Sequence, residues 1–99
     1  MAYIMIQHKV LDYAKWKPMY DEHQATRKAY GIRREQLFRG ADDPNDLTIL
    51  FEVSDMNKAR ELIQSEDLKI VMQRAGVISV PNFHWLEEVE THELVTPSI

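Results

Sequence analysis

Trp16, Tyr20, His23 and Arg27 recur at helical spacing and together offer two aromatic faces, an imidazole and a guanidinium. An imidazole changes charge near neutrality, which makes His23 the leading candidate for acid and base chemistry. Trp16 and Tyr20 present flat π-faces on which a planar aromatic compound can stack, with Arg27 beside them as a further substrate contact. His8, late in a β-like stretch, is the second candidate for catalysis, since its alternation names its neighbours without saying which side they face. Arg34 and Arg39 lie near the ends of another such stretch, where a guanidinium can bind a carboxylate or an enolate oxygen; Arg39 is kept as a substrate contact. Each residue has a plainer reading. His23 and His8 can be half-buried histidines beside a sheet, Trp16 and Tyr20 core aromatics, and the arginines solvated strand ends. His84, next to Trp85, is expected at the surface.

Other chemistries find little support. The chain has no cysteine, which excludes disulfides, thiolate metal sites and cysteine nucleophiles. His8, His23, His84 and His92 are scattered, with no two-histidine pair on one helix face, so no metal site is expected. Asp42, Asp43, Asn45 and Asp46 share only their composition with a calcium loop and read as a solvated turn. None of the three glycines lies in a Gly-rich phosphate loop, and there is no G-x-S-x-G. A formal net charge of −4 argues against nucleic acid and anionic membrane as partners. The opening MAYIMIQHKV lacks the basic flank and unbroken apolar run of a secretion signal, so a cytoplasmic protein is expected.

The elements that must position these residues follow from periodicity and punctuation. At about 100° per residue, Tyr13, Trp16, Met19, Tyr20, His23, Arg27 and Tyr30 share one sector of a helix running from Asp12, its N-cap, to Gly31, its stop. Pro18 lies within it, so a kink near Ala14 or a loose first turn is expected. Tyr3 to Val10 alternates as a first strand, Ile32 to Arg39 as a second and Leu47 to Val53 as a third, with GADDPND forming a hairpin turn between the last two. Ser54 and Asp55 cap a second helix through Met56, Ala59, Leu62 and Ile63. Ser65 caps a further helical piece that Gly76 ends. Val77 to Val89 is the last strand, and Pro81 consigns it to a sheet edge or a bulge. The tail, 91–99, has little periodicity, and the whole chain of 99 residues is expected to be one domain with its core within about 3–90.

Strand, helix, strand, strand, helix, strand is the split βαβ order of the α+β ferredoxin-like fold: a four-stranded antiparallel sheet with both helices on one face. The third and last strands carry apolar residues on both sides, so the uncovered face is expected to meet a second copy, giving a homodimer through its sheet faces. This order, the run His8, Lys9, Val10 into Asp12, Tyr13 and Trp16, the turn Asp43, Pro44, Asn45 and the entry Ala75, Gly76, Val77 together resemble the dimeric α/β-barrel superfamily. The likeness covers roughly residues 3 to 90 and is nearest to antibiotic biosynthesis monooxygenase-like and stress-responsive barrel proteins. It implies a small-molecule pocket between helices and sheet, walled by the first helix. It further implies a cofactor-independent monooxygenase-, cyclase- or isomerase-like enzyme on a small aromatic or polyketide-like compound, needing no cofactor. The oxygenases of that superfamily hold a substrate anion with Asn, Trp, Tyr and Arg; here Trp16, Tyr20 and an arginine are present, with no asparagine in the first strand or helix. The alternative is a dimer that binds a small molecule, or serves a stress response, without turnover.

Overall fold

The computed structural model describes residues 1–95. Alternation sorts the first strand into two faces: Ile4, Ile6 and His8 of β1 (Ala2–Lys9) are buried, while Gln7 and Lys9 point to solvent. β1 lies between β3 (Asp46–Val53) and β4 (Asn82–Glu87), and β2 (Ile32–Arg39) pairs with β3, so the antiparallel order is β2-β3-β1-β4. The register stacks apolar rows: Ile4 sits opposite Phe51 and Trp85, and Ile6 opposite Ile49 and Phe83. Helices α1 (Tyr13–Glu22) and α2 (Gln24–Ala29) follow β1, and α3 (Met56–Ile63) and α4 (Glu66–Arg74) follow β3. This is the ferredoxin-like α+β fold expected from the element order, with its core between the helices and one sheet face.

The first helical stretch departs from expectation. Its first turn is neither loose nor opened by Pro18: Asp12 Oδ1 accepts from the Ala14 N–H at 3.0 Å and the Asp12 carbonyl from that of Trp16 at 3.0 Å. The break comes at His23, where ψ of 8° takes the chain off the helical path and separates α1 from α2. Ending there leaves the last carbonyls of α1 without helical donors. The His23 N–H and the Arg27 guanidinium both donate to the Tyr20 carbonyl, at 3.2 and 2.7 Å, so the break is satisfied from the side. Gly31, at φ 84°, then ends α2; a Cβ there would lie 3.0 Å from Asp55 Cβ. The β2–β3 turn supports the start of α1, because Asn45 Oδ1 accepts from the Tyr13 N–H at 2.9 Å.

Asp55 caps α3 by accepting from the Lys58 N–H at 3.1 Å, and Ser65 caps α4 by accepting from that of Leu68 at 3.2 Å. α3 buries Ala59 and Leu62, whereas no residue of α4 is fully buried. The last strand starts at Asn82 rather than Val77. Residues 77–80 run beside the end of β1 without forming a ladder: Val77 makes one bridge to Val10, Ser79 Oγ accepts from the Lys9 N–H at 2.8 Å, and Pro81 has no N–H to offer. β4 is an edge strand, as Pro81 requires. On the sheet face away from the helices, Tyr3, Met5 and Leu50 are half-buried, with Phe38 and Leu86 exposed around them. Beyond β4, residues 88–95 have no regular structure; the rest of the expected tail, 96–99, lies outside the described residues.

Candidate functional site

Between the helices and the covered sheet face lies a cavity of about 60 Å³. Its floor is the inward row of β1 and β3, with Ile6, His8, Ile49 and Phe51. Trp16, Tyr20, His23 and Arg27 form one wall from α1 and α2, and Leu62, Leu68, Val71 and Met72 of α3 and α4 form the roof. The helical stripe and the strand alternation thus converge on one space.

His8 is the buried polar group of the floor. It is 4% exposed, its Nδ1 has no hydrogen-bond partner among the described residues, and its ring meets Trp16 edge-on with centroids 5.9 Å apart. Burial pushes its pKa below the ordinary 6.5, against the opposing pull of the Asp46 carboxylate. At neutral pH it is therefore a neutral imidazole, with one nitrogen that donates and one that accepts. An unpartnered buried nitrogen costs about 1–3 kcal/mol, so a ligand able to bond it gains what the protein leaves unmade.

The wall is an aromatic stack tied to an ion pair. Trp16 and Tyr20 lie nearly parallel with centroids 4.6 Å apart, and the Arg27 guanidinium sits 3.8 Å from the centre of the Tyr20 ring. Arg27 is only 7% exposed and is held by Glu35 of β2, through Nε to Oε2 and Nη2 to Oε1, the latter at 3.2 Å. The Tyr20 hydroxyl donates to Glu35 Oε2 at 3.2 Å. Burial raises the Tyr20 pKa far above its usual range; the Arg27 cation pulls it back and the Glu35 carboxylate pushes it further up. Tyr20 is thus a neutral phenol with its proton engaged, and the charge of Arg27 is already compensated.

The structure brings His8, Trp16, Tyr20, His23 and Arg27 to one cavity and leaves the other candidates elsewhere. Arg39 does not line it: its guanidinium lies 4.1 Å over the Tyr13 ring and its Nε donates to the Pro44 carbonyl at 3.2 Å. That arginine fastens the β2–β3 turn to α1. Arg34 stands opposite Glu52, and His84 opposite Met5, on the uncovered face. His23, at the α1–α2 break, is half-buried at the cavity's mouth. Glu35 was absent from the sequence-based candidates. Reading β2 backwards from Leu37 puts this carboxylate on the inward side, a signal blurred by the register shift between Ile32 and Arg34. Among the described residues, no group of three His, Asp or Glu side chains is placed to hold a metal ion.

Comparison with solved structures bears out the likeness of fold to antibiotic biosynthesis monooxygenase-like proteins. SnoaB, a cofactor-independent oxygenase from Streptomyces nogalater, superposes with a TM-score of 0.73 at 14% identity, covering 91% of this chain and 94% of that one. An antibiotic biosynthesis monooxygenase gives a TM-score of 0.69 at 16% identity, over 91% of this chain and all of the other. Rv0793 from Mycobacterium tuberculosis gives 0.68 at 11% identity, over 93% and 98%. No protein-family profile and no curated protein sequence matches this chain.

Proposed function

We propose that this chain is a cofactor-independent enzyme of the monooxygenase or cyclase/isomerase type, acting on a small aromatic or polyketide-like compound as a cytoplasmic homodimer. The observation that carries the reading is the unpartnered, buried Nδ1 of His8 beside an apolar, aromatic-walled cavity. His8 takes a proton from an acidic O–H or from a C–H next to a carbonyl, while Trp16 and Tyr20 hold the ring. The transfer leaves an imidazolium beside an enolate or phenolate. Their attraction in a site with little water offsets the unfavourable pKa of the buried base. For an activated methylene, the anion then adds O2; the proton returns from His8 to the resulting peroxide, and loss of water leaves a carbonyl where the CH2 was. His23, the leading acid and base in the sequence reading, takes second place at the mouth of the site. The dimer forms through the uncovered sheet face, where Met5 and Leu50 stand side by side.

The engagement of Arg27 with Glu35, and of the Tyr20 hydroxyl with the same carboxylate, favours a second reading. With its cation compensated, the cavity can bind a neutral ligand and not turn it over. Oxygen uptake and product formation over a panel of hydroxylated aromatic and 1,3-dicarbonyl compounds separate the two. The enzyme reading expects turnover with at least one, reduced 100-fold or more in His8→Gln with binding kept. Binding throughout the panel with no turnover leaves the second reading, and absence of binding overturns both.

A further inference from the structure

The cavity is smaller than a ring it would have to hold. Its volume of about 60 Å³ is well below the roughly 150 Å³ of an apolar cavity that accepts benzene. On the far side of His23 lies a groove of about 490 Å³ between α2 and α4. The two spaces share a wall, since His23, Leu62, Leu68 and Val71 line both. Past that wall the groove continues along Thr26 of α2 and along Ile70 and Arg74 of α4, with Asp67 at the other end of that helix. His23 sits at a break between helices, its side chain is not fully buried, and α4, which carries two of the three shared apolar residues, buries no residue completely.

We infer that the cavity and the groove are two compartments of one site, with His23 as the neck between them and the size-determining residue. The fitting ligand is an aromatic compound of two fused or linked rings with a hydroxyl on the inner ring. The inner ring takes the cavity together with the space of the displaced imidazole, its hydroxyl toward His8. The outer ring lies in the groove against Leu62, Leu68 and Val71, which offer it apolar surface, and beside Thr26, which touches the groove and not the cavity. This inference rests on the reading of the cavity as a binding site given above, and the test separates the two.

Isothermal titration calorimetry with phenol and 2-naphthol reads the neck directly in the full chain and two variants. His23→Ala, which gives the inner ring the space of the imidazole and opens the neck, is expected to tighten both phenol and 2-naphthol at least fivefold. Thr26→Trp, which fills the groove without touching the cavity, is expected to weaken 2-naphthol at least fivefold and leave phenol unchanged. If His23→Ala tightens neither compound, or Thr26→Trp keeps the naphthol-to-phenol affinity ratio within twofold of the parent, the neck is refuted and the cavity reading stands. If the unaltered chain binds neither compound, the cavity reading fails and takes the neck with it. Thermal unfolding of each variant confirms that a change in affinity comes from a folded protein.

Discussion

Replacing Glu35 by Gln tests the network that shapes the cavity wall. The substitution keeps the size of the side chain and removes the charge that compensates Arg27, whose side chain is 9% accessible against 22% for Glu35. Breaking a buried pair by removing one partner costs about 3–5 kcal/mol. Because Glu35 reaches water more than Arg27 does, solvent can recover part of that loss, so the expected effect is at the lower end, about 3 kcal/mol. For a domain of this size 1 kcal/mol moves the midpoint by about 4–8 °C, so Tm should fall by about 12–24 °C. Urea unfolding followed by circular dichroism measures it, with the slope unchanged if the loss is one of stability alone. The double variant Arg27→Met, Glu35→Leu should recover most of the loss, because an apolar pair leaves no orphaned charge. The single variant should also bind benzoate at least tenfold more tightly than the parent, since it frees a guanidinium on the cavity wall. A loss under 1 kcal/mol together with unchanged benzoate affinity would refute the reasoning, because Arg27 would then have been solvated all along.

The remaining expectations concern His8 and the open sheet face. With the native pKa of His8 below 6.5, the unfolded chain binds more protons than the native one as pH drops below that value, so stability falls there and is undiminished above it. Urea midpoints between pH 7.5 and 5 should show that decline in the parent and a shallower one in His8→Gln; parallel profiles would mean that His8 titrates alike in both states. Sedimentation should show a dimer at micromolar concentration that Leu50→Lys converts to a monomer with unchanged circular dichroism, and a monomeric parent would sink the sheet-on-sheet contact.

Some of the site was legible in the chain because helical spacing is local. The stripe Trp16, Tyr20, His23 and Arg27 needs only the 3.6-residue period to be placed on one face, and those residues do line one cavity. Other features were hidden because they depend on groups far apart in sequence. The alternation Ile4, Ile6, His8, Val10 was plain, yet both faces of β1 carry apolar residues, so only the packing of the helices shows that His8 is on the buried side. The place of Arg39 at a strand end suggests a substrate contact, whereas in the fold its guanidinium meets the Tyr13 ring and the Pro44 carbonyl. The break at His23 was missed because proline dominates any local reading of that helix, while the break is stabilised by Arg27 reaching the Tyr20 carbonyl.

By itself, the sequence determined the kind and order of the elements. Period-2 and period-3.6 patterns, the caps Asp12, Asp55 and Ser65, the left-handed stops Gly31 and Gly76 and the edge-marking Pro81 each act within a few residues. Only the tertiary structure decided what those elements do together. It covered one sheet face and left the other bare, closed Glu35 over Arg27, left the His8 nitrogen unpartnered and set His23 between a small cavity and a larger groove. Burial and pairing are relations between side chains that meet only when the sheet and its helices pack, and no local period carries them.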